Sequence, residues 1–219
     1  MIDVNQQINA VQRQVGRRVL EAGEARVQTI SQVYDTTLED LWDACTKPER
    51  IARWFLPVTG DLRLGGRYQL EGNAGGIVER CDPPKGFAAT WEFGGQVSWI
   101  EVRLDSEPTG GTRFELEHVA HVDDDLWRQY GPGATGVGWD GALMGLGLYL
   151  AAGGDAPVDR GAVQAWSASD EGREFFTRSS ERWRDASIEA GTDPAEATEA
   201  AARTTGFYTG VPEAGTEPR

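Results

Sequence analysis

From Gly60 to Val122 the chain alternates apolar and polar residues with a period of two, and no helical pattern interrupts it. Turn residues break the run at short intervals: Asn73-Ala74-Gly75-Gly76, Asp82-Pro83-Pro84-Lys85-Gly86, Gly94-Gly95 and Pro108-Thr109-Gly110-Gly111. The segment FAATWEF sets Phe87, Ala89, Trp91 and Phe93 on one face, and TRFELEHVAHV sets Phe114, Leu116, His118 and Ala120 on one face. GDLRLGGRYQLEG reads as one strand with a bulge at Gly65-Gly66. Consecutive strands joined by short turns make an antiparallel meander with one wet face, on which Glu79, Glu101 and Arg103 fall. The absence of helices between strands excludes a βαβ nucleotide fold.

An apolar sheet face needs a cover. The stretch Gly136–Leu150 supplies it: Trp139, Leu143, Leu146 and Leu150 recur at helical spacing, and Ala142, Met144 and Leu148 widen the stripe. It is too short for a bilayer, which needs about 20 apolar residues. Gly141, Gly145 and Gly147 each weaken a helix by up to ~1 kcal/mol relative to alanine, so the backbone is expected to pass close to a neighbour.

Ahead of the sheet, residues 4–20 place Val4, Ile8, Val11, Val15 and Val19 at spacings of four and three. This predicts an amphipathic helix whose stripe is covered by its own domain or by a second copy in a homodimer. Ala25–Tyr34 reads as an opening strand. Thr36-Thr37-Leu38-Glu39 and Thr46-Lys47-Pro48-Glu49 start two short helices in a V, the second with Ile51, Ala52, Trp54 and Phe55 as its apolar side and Pro57 as its end. After Gly154, Ser169–Ala190 and a segment capped at Asp193 and stopped at Gly206 read as helices, with Phe207 and Tyr208 docking back. Residues 210–219 read as a disordered tail.

Several of these pieces together resemble one superfamily. They are Trp42, the Thr46–Pro57 segment, Gly65-Gly66, Glu79 ahead of Pro83-Pro84, Trp91, Gly111-Thr112, and Gly138-Trp139 with Leu143, spanning about residues 28–152. The chain is similar to the SRPBCC superfamily, the START and birch-pollen-allergen-like group, and within it to homologues of the heat-shock-protein ATPase activator. The resemblance implies an α+β helix-grip fold, a curved antiparallel sheet wrapped around a long helix with a cavity between them. The cavity is implied by the resemblance alone. The expected organisation is an N-terminal helix over 1–24, a helix-grip domain over 25–154, a helical addition over 155–209 and the tail.

The net charge of −14 argues against binding nucleic acid or an anionic membrane surface. Cys45 and Cys81 are too few and too far apart for a metal knuckle or a disulfide framework, and the opening residues lack a secretory pattern. A cytoplasmic protein is the expectation. Gly131–Gly136 matches GxGxxG but follows DDDLWRQY rather than a buried strand, so a flexible loop beside the cavity mouth is the preferred reading. His118 and His121 are the only histidines; three apart on a strand they face opposite ways and share no metal, His118 buried and His121 largely exposed. Asp123, Asp124 and Asp125 read as a solvated turn and helix cap. Cys45 reads as inert core, and no nucleophile elbow is present.

The expected function is binding of a small hydrophobic or aromatic ligand in the cavity, with Trp91, Phe93, Phe114, Leu116, His118, Trp139, Leu143 and Met144 around it. Trp99 and Trp54 are further candidates for an aromatic lining. No cofactor, metal or catalytic set is expected. Two alternatives stay open: a cyclase- or hydratase-like enzyme on a polyketide-like substrate using His118, and a co-chaperone-like module with a chaperone partner.

Overall fold

The computed structural model describes residues 3–154 and 159–210. The first four residues of the expected helical addition, 155–158, and residues 211–219 of the expected tail lie outside the described residues. Eight strands form one antiparallel sheet: β1 (Gln12–Leu20), β2 (Gly23–Tyr34), β3 (Val58–Gly60), β4 (Arg67–Leu70), β5 (Gly75–Asp82), β6 (Gly86–Phe93), β7 (Gln96–Ser106) and β8 (Thr112–Ala120). Their order across the sheet is β1-β2-β8-β7-β6-β5-β4-β3. The helices are α1 (Val4–Ala10), α2 (Leu38–Thr46), α3 (Pro48–Ile51), α4 (Asp124–Tyr130), α5 (Gly133–Ala151), α6 (Arg160–Ser167), α7 (Asp170–Glu189) and α8 (Pro194–Thr209).

The N-terminal segment is not one helix. It turns at Val11, and Gln12–Leu20 pairs residue for residue with β2. A spacing of four puts Val11, Val15 and Val19 on one side of a helix, but also on one side of a strand, since four is a multiple of two. Three β-branched residues and Gly16 tip that ambiguity toward extended backbone. The short α1 keeps Val4 and Ile8, which pack with Met144 and Phe175 of the same chain. The stripe that motivated a dimer is therefore largely covered from within, and Val19 is its exposed exception.

The meander follows the alternation with local differences. Gly65-Gly66 lies in the turn between β3 and β4, not in a bulged strand, and Gly75-Gly76 belongs to β5. Gly76 faces Thr90 so closely that an added Cβ would sit 2.0 Å from its carbonyl oxygen. The V is α2, capped by Thr37 on the Asp40 amide at 3.2 Å, and a shorter α3 that starts at Pro48 and ends at Ile51. Trp54 and Phe55 therefore come from the turn after α3. Asp123 caps α4 through the amides of Asp125 and Leu126. Only Gly131 and Pro132 separate α4 from α5, so GxGxxG is a helix junction rather than a flexible loop.

α5 lies between the sheet and the C-terminal helices, and neighbours approach its backbone directly. An added Cβ on Gly136 would fall 2.3 Å from the Trp183 indole of α7, and one on Gly145 2.6 Å from the Trp54 carbonyl. Of the glycines singled out from sequence, Gly145 is the one held by such an approach; Gly141 faces open space. Phe175 and Trp183 of α7 are buried, and Trp183 belongs to the main core. α8 runs through Gly206 to Thr209 and stops at Gly210 in the left-handed region (φ 67°). Tyr208 docks on the Ala134 carbonyl at 3.0 Å, whereas Phe207 stays exposed. Among the described residues, no helix is long and apolar enough to cross a membrane.

Candidate functional site

Between α5 and the concave face of the sheet lies a cavity of about 170 Å³. The V forms one side of it with Trp42, Ile51, Trp54 and Phe55, and α5 contributes Trp139, Ala142 and Leu143. The sheet supplies Tyr68, Val78, Phe87, Trp91, Ile100 and Val102, and β8 adds Phe114 and Leu116. Strand alternation explains the choice: on β6 and β7 the lining residues are every second residue. Aromatic rings pack along the wall: Trp54 on Phe55 and Phe55 on Trp139 are stacked at 5.6 and 6.3 Å between centroids, and Trp91 is tilted against Trp139 at 5.0 Å.

Four polar groups of this wall are turned toward the protein. Trp54 Nε1 donates to the Ala44 carbonyl (3.0 Å), Tyr68 Oη to the Thr90 carbonyl (2.7 Å) and Thr46 Oγ1 to the Trp42 carbonyl (2.7 Å). Trp139 Nε1 donates to His118 Nδ1 at 3.2 Å. What remains facing the cavity is mainly hydrocarbon and aromatic surface, with the thiols of Cys45 and Cys81. Burial pushes the Cys45 thiol up to about 12, so it is a protonated thiol at neutral pH and not a nucleophile. Burial also raises the Tyr68 hydroxyl well above its ordinary value, so it too stays neutral. Among the described lining residues there is no Asp, Glu or His.

Of the residues chosen from sequence, Trp91, Phe114, Leu116, Trp139 and Leu143 meet at this cavity. Three do not. Phe93 shares the parity of Trp91 but lies at the end of β6, where the sheet runs out past its cover, and is 59% exposed. Met144 is on the back of α5, packed with Val4, Ile8 and Phe175. His118 is buried behind Trp139 and does not reach the cavity surface. Its two ring nitrogens are occupied by Trp139 and Ser98, and burial lowers it to about 4. Both nitrogens are thus committed within the protein rather than turned to the cavity. Trp99 points to the outer face, packing with Ala25, Val27 and Val119. His121 sits against Trp99 on that face and is half-buried rather than largely exposed, because the indole covers it. The two histidines do not come together.

Sequence reasoning missed the group that fixes α5 from behind. Asp140 is the single charge within α5, a signal that was legible in the sequence. Its carboxylate accepts from Arg13 Nη2 (2.6 Å) and Nε (3.0 Å), from Ser179 Oγ (2.5 Å) and from Trp183 Nε1 (2.9 Å). Arg13 also donates to the carbonyls of Ile8 and Val11, closing the turn between α1 and β1. At the other end of α5, Arg50 bonds Tyr149 Oη (2.8 Å) and Asp40 (2.7 Å), tying the V to the helix. The Arg50 guanidinium holds the Asp40 carboxyl below its usual range.

The comparisons agree with this geometry. A family model described as Activator of Hsp90 ATPase homolog 1-like protein matches residues 35–151. The crystal structure of CalU16 from Micromonospora echinospora is 34% identical, over 84% of this chain and 99% of that one, with a TM-score of 0.61. Its solution structure gives 38% identity over 84% and 97%, with a TM-score of 0.66. This match is longer than the family segment, so it takes in part of the flanking elements as well. Protein MLL2253 from Mesorhizobium loti is 23% identical over 58% of this chain and 98% of that one (TM-score 0.52) and shares the fold. Among curated proteins none matches the sequence. The cavity between the grip helix and the sheet, the family segment and the CalU16 likeness converge: the chain belongs to the Activator of Hsp90 ATPase homolog 1-like family of helix-grip proteins.

Proposed function

We propose that the protein binds a small, neutral, apolar or aromatic molecule in the cavity between α5 and the sheet. The observation that carries this reading is the cavity itself, about 170 Å³ walled by packed aromatic rings, with the polar groups of Trp54, Tyr68 and Trp139 engaged elsewhere. Water in such a space needs two to four polar partners and finds few here. An apolar cavity of about 150 Å³ is large enough to admit benzene, so the volume suits one substituted aromatic ring. A charged ligand would be left without a counter-charge on this wall. A cytoplasmic location belongs to the same proposal, and the two free thiols are compatible with it.

The test is uptake of bromobenzene, a neutral heavy-atom quencher, followed by tryptophan emission of the full chain. Saturable quenching that is lost in Ala142→Leu, which fills the space, supports binding in this cavity. Linear, non-saturating quenching, or saturation indifferent to Ala142→Leu, refutes it.

A further inference from the structure

Resting on that binding reading, we propose that His118, held as the uncharged Nε2–H tautomer, is the positioning residue of the aromatic wall, fixing the indole of Trp139, which packs on Trp91, in the orientation a ligand meets. The tautomer follows from donor chemistry. An indole N–H only donates, so His118 Nδ1, 3.2 Å from Trp139 Nε1, must be the acceptor. The proton is then on Nε2, which donates to Ser98 Oγ at 2.9 Å. Ser98 Oγ passes its own proton on to the Trp91 carbonyl at 3.0 Å. One imidazole therefore links α5, β8, β7 and β6, and the two tryptophans it connects lie 5.0 Å apart on the cavity wall. The imidazole meets the Trp139 ring edge-on at 89°, so the bond sets the plane of the indole as well as its place.

No charged partner competes for this imidazole among the described contacts. Across the ladders its neighbours are Gln28 on β2 and Ile100 on β7. Gln28 is engaged with Pro132 and Thr135. Glu117, next on β8, is on the outer face with Arg18, and Asp140, next to Trp139 on α5, is held by Arg13, Ser179 and Trp183. Protonation of His118 would set two donors, the imidazolium Nδ1–H and the indole N–H, against each other. The indole would have to leave its place. Burial defers that event to about pH 4.

The experiment compares wild type, His118→Asn and His118→Leu in bromobenzene quenching between pH 7 and pH 4, with circular dichroism as the check on folding. The Asn side chain can present an oxygen where Nδ1 stands but does not titrate. At pH 7 the Asn variant should bind as wild type does, and the Leu variant about tenfold more weakly, as expected for one lost hydrogen bond. Wild-type affinity and unliganded tryptophan emission should hold to about pH 5 and change toward pH 4, while the Asn variant stays flat. A folded Leu variant with unchanged affinity and emission would overturn the proposal. So would an Asn variant that follows the wild-type pH profile, and that comparison stands even if the Leu variant does not fold. Failure of wild type to take up bromobenzene would remove the binding reading instead. In that case the unliganded emission profiles still decide whether His118 holds Trp139.

Discussion

Replacing Asp140 by Ala should be among the most damaging single changes in this molecule. The Asp140 and Arg13 side chains are 1% and 3% exposed, so deletion of the carboxylate leaves a guanidinium buried without its counter-charge. Breaking a buried ion pair from one side costs about 3–5 kcal/mol. Ser179 and Trp183, both fully buried, lose their acceptor at the same time, and each unsatisfied donor adds about 1–3 kcal/mol where no water reaches it. Against a typical domain stability of about 5–15 kcal/mol, a loss of about 5 kcal/mol, the lower end of these terms together, already leaves a marginal fold. Urea unfolding of the wild type, Arg13→Ala, Asp140→Ala and the double variant measures the pair. The double variant should cost clearly less than the two single variants together, because the second change removes a charge already stranded. A loss below about 1 kcal/mol for Asp140→Ala, or strict additivity, would refute the reading of this cluster as the joint between N-terminal segment, α5 and α7.

Gly136→Ala should destabilise by about 1–3 kcal/mol in the same assay, since its Cβ would meet the immobile Trp183 ring, whereas Gly141→Ala, facing open space within the helix, should stabilise by up to about 1 kcal/mol. Leu143→Ala should fall near the low end of the ~2–5 kcal/mol range for core leucines, because the side chain already borders empty space, and should alter bromobenzene affinity; a full core-sized loss would mean a solid grip. Folding stability should also depend on His118. Its folded value of about 4 lies below the ordinary 6.5, so the unfolded chain takes up a proton first as pH falls. The contribution is complete above about pH 6.5, is lost progressively down to about pH 4 by about 3 kcal/mol, and is flat below that. His118→Asn should lose this segment of the stability–pH curve, and an unchanged curve would contradict it.

The strands and their inward parity were legible because period-two alternation survives wherever one face is buried, as on β6 to β8. The long helix was legible because its stripe is apolar enough to require a cover. The N-terminal strand was not, since valines four apart satisfy both periods; the β-branched residues and Gly16 lean toward a strand, and pairing with β2 completes it. The cavity lining was half visible. Trp91, Trp139 and Leu143 follow from parity and helix face, but parity says nothing about how far a strand extends past its cover, which is why Phe93 ends in solvent. Nor could the α5 stripe separate front from back: the helix is buried on both sides, and Met144 was assigned to the wrong one. The contributions of Tyr68, Val78 and Phe87 depend on sheet curvature, a tertiary property that no local window contains.

The two faces of α5 are built on opposite principles, and each explains the other. On the back, glycine lets Trp183 lie against the helix backbone, and Asp140 meets every donor offered to it. On the front, large rigid rings leave about 170 Å³ unfilled. At about 24 cal/mol per Å³, an empty space of that size represents about 4 kcal/mol of forgone packing. Such a hole persists only if its walls cannot move together. The inner wall is held from behind by the Asp140 cluster and the outer wall by hydrogen bonds such as Tyr68 to Thr90 and Trp54 to Ala44. A ligand that fills the hole recovers part of the missing contact and stabilises the fold in proportion to its concentration over Kd. It follows that the back of α5 governs the front. Loosening it with Asp140→Asn, which keeps the shape and removes the charge, should weaken bromobenzene binding although the substituted residue lies outside the cavity lining.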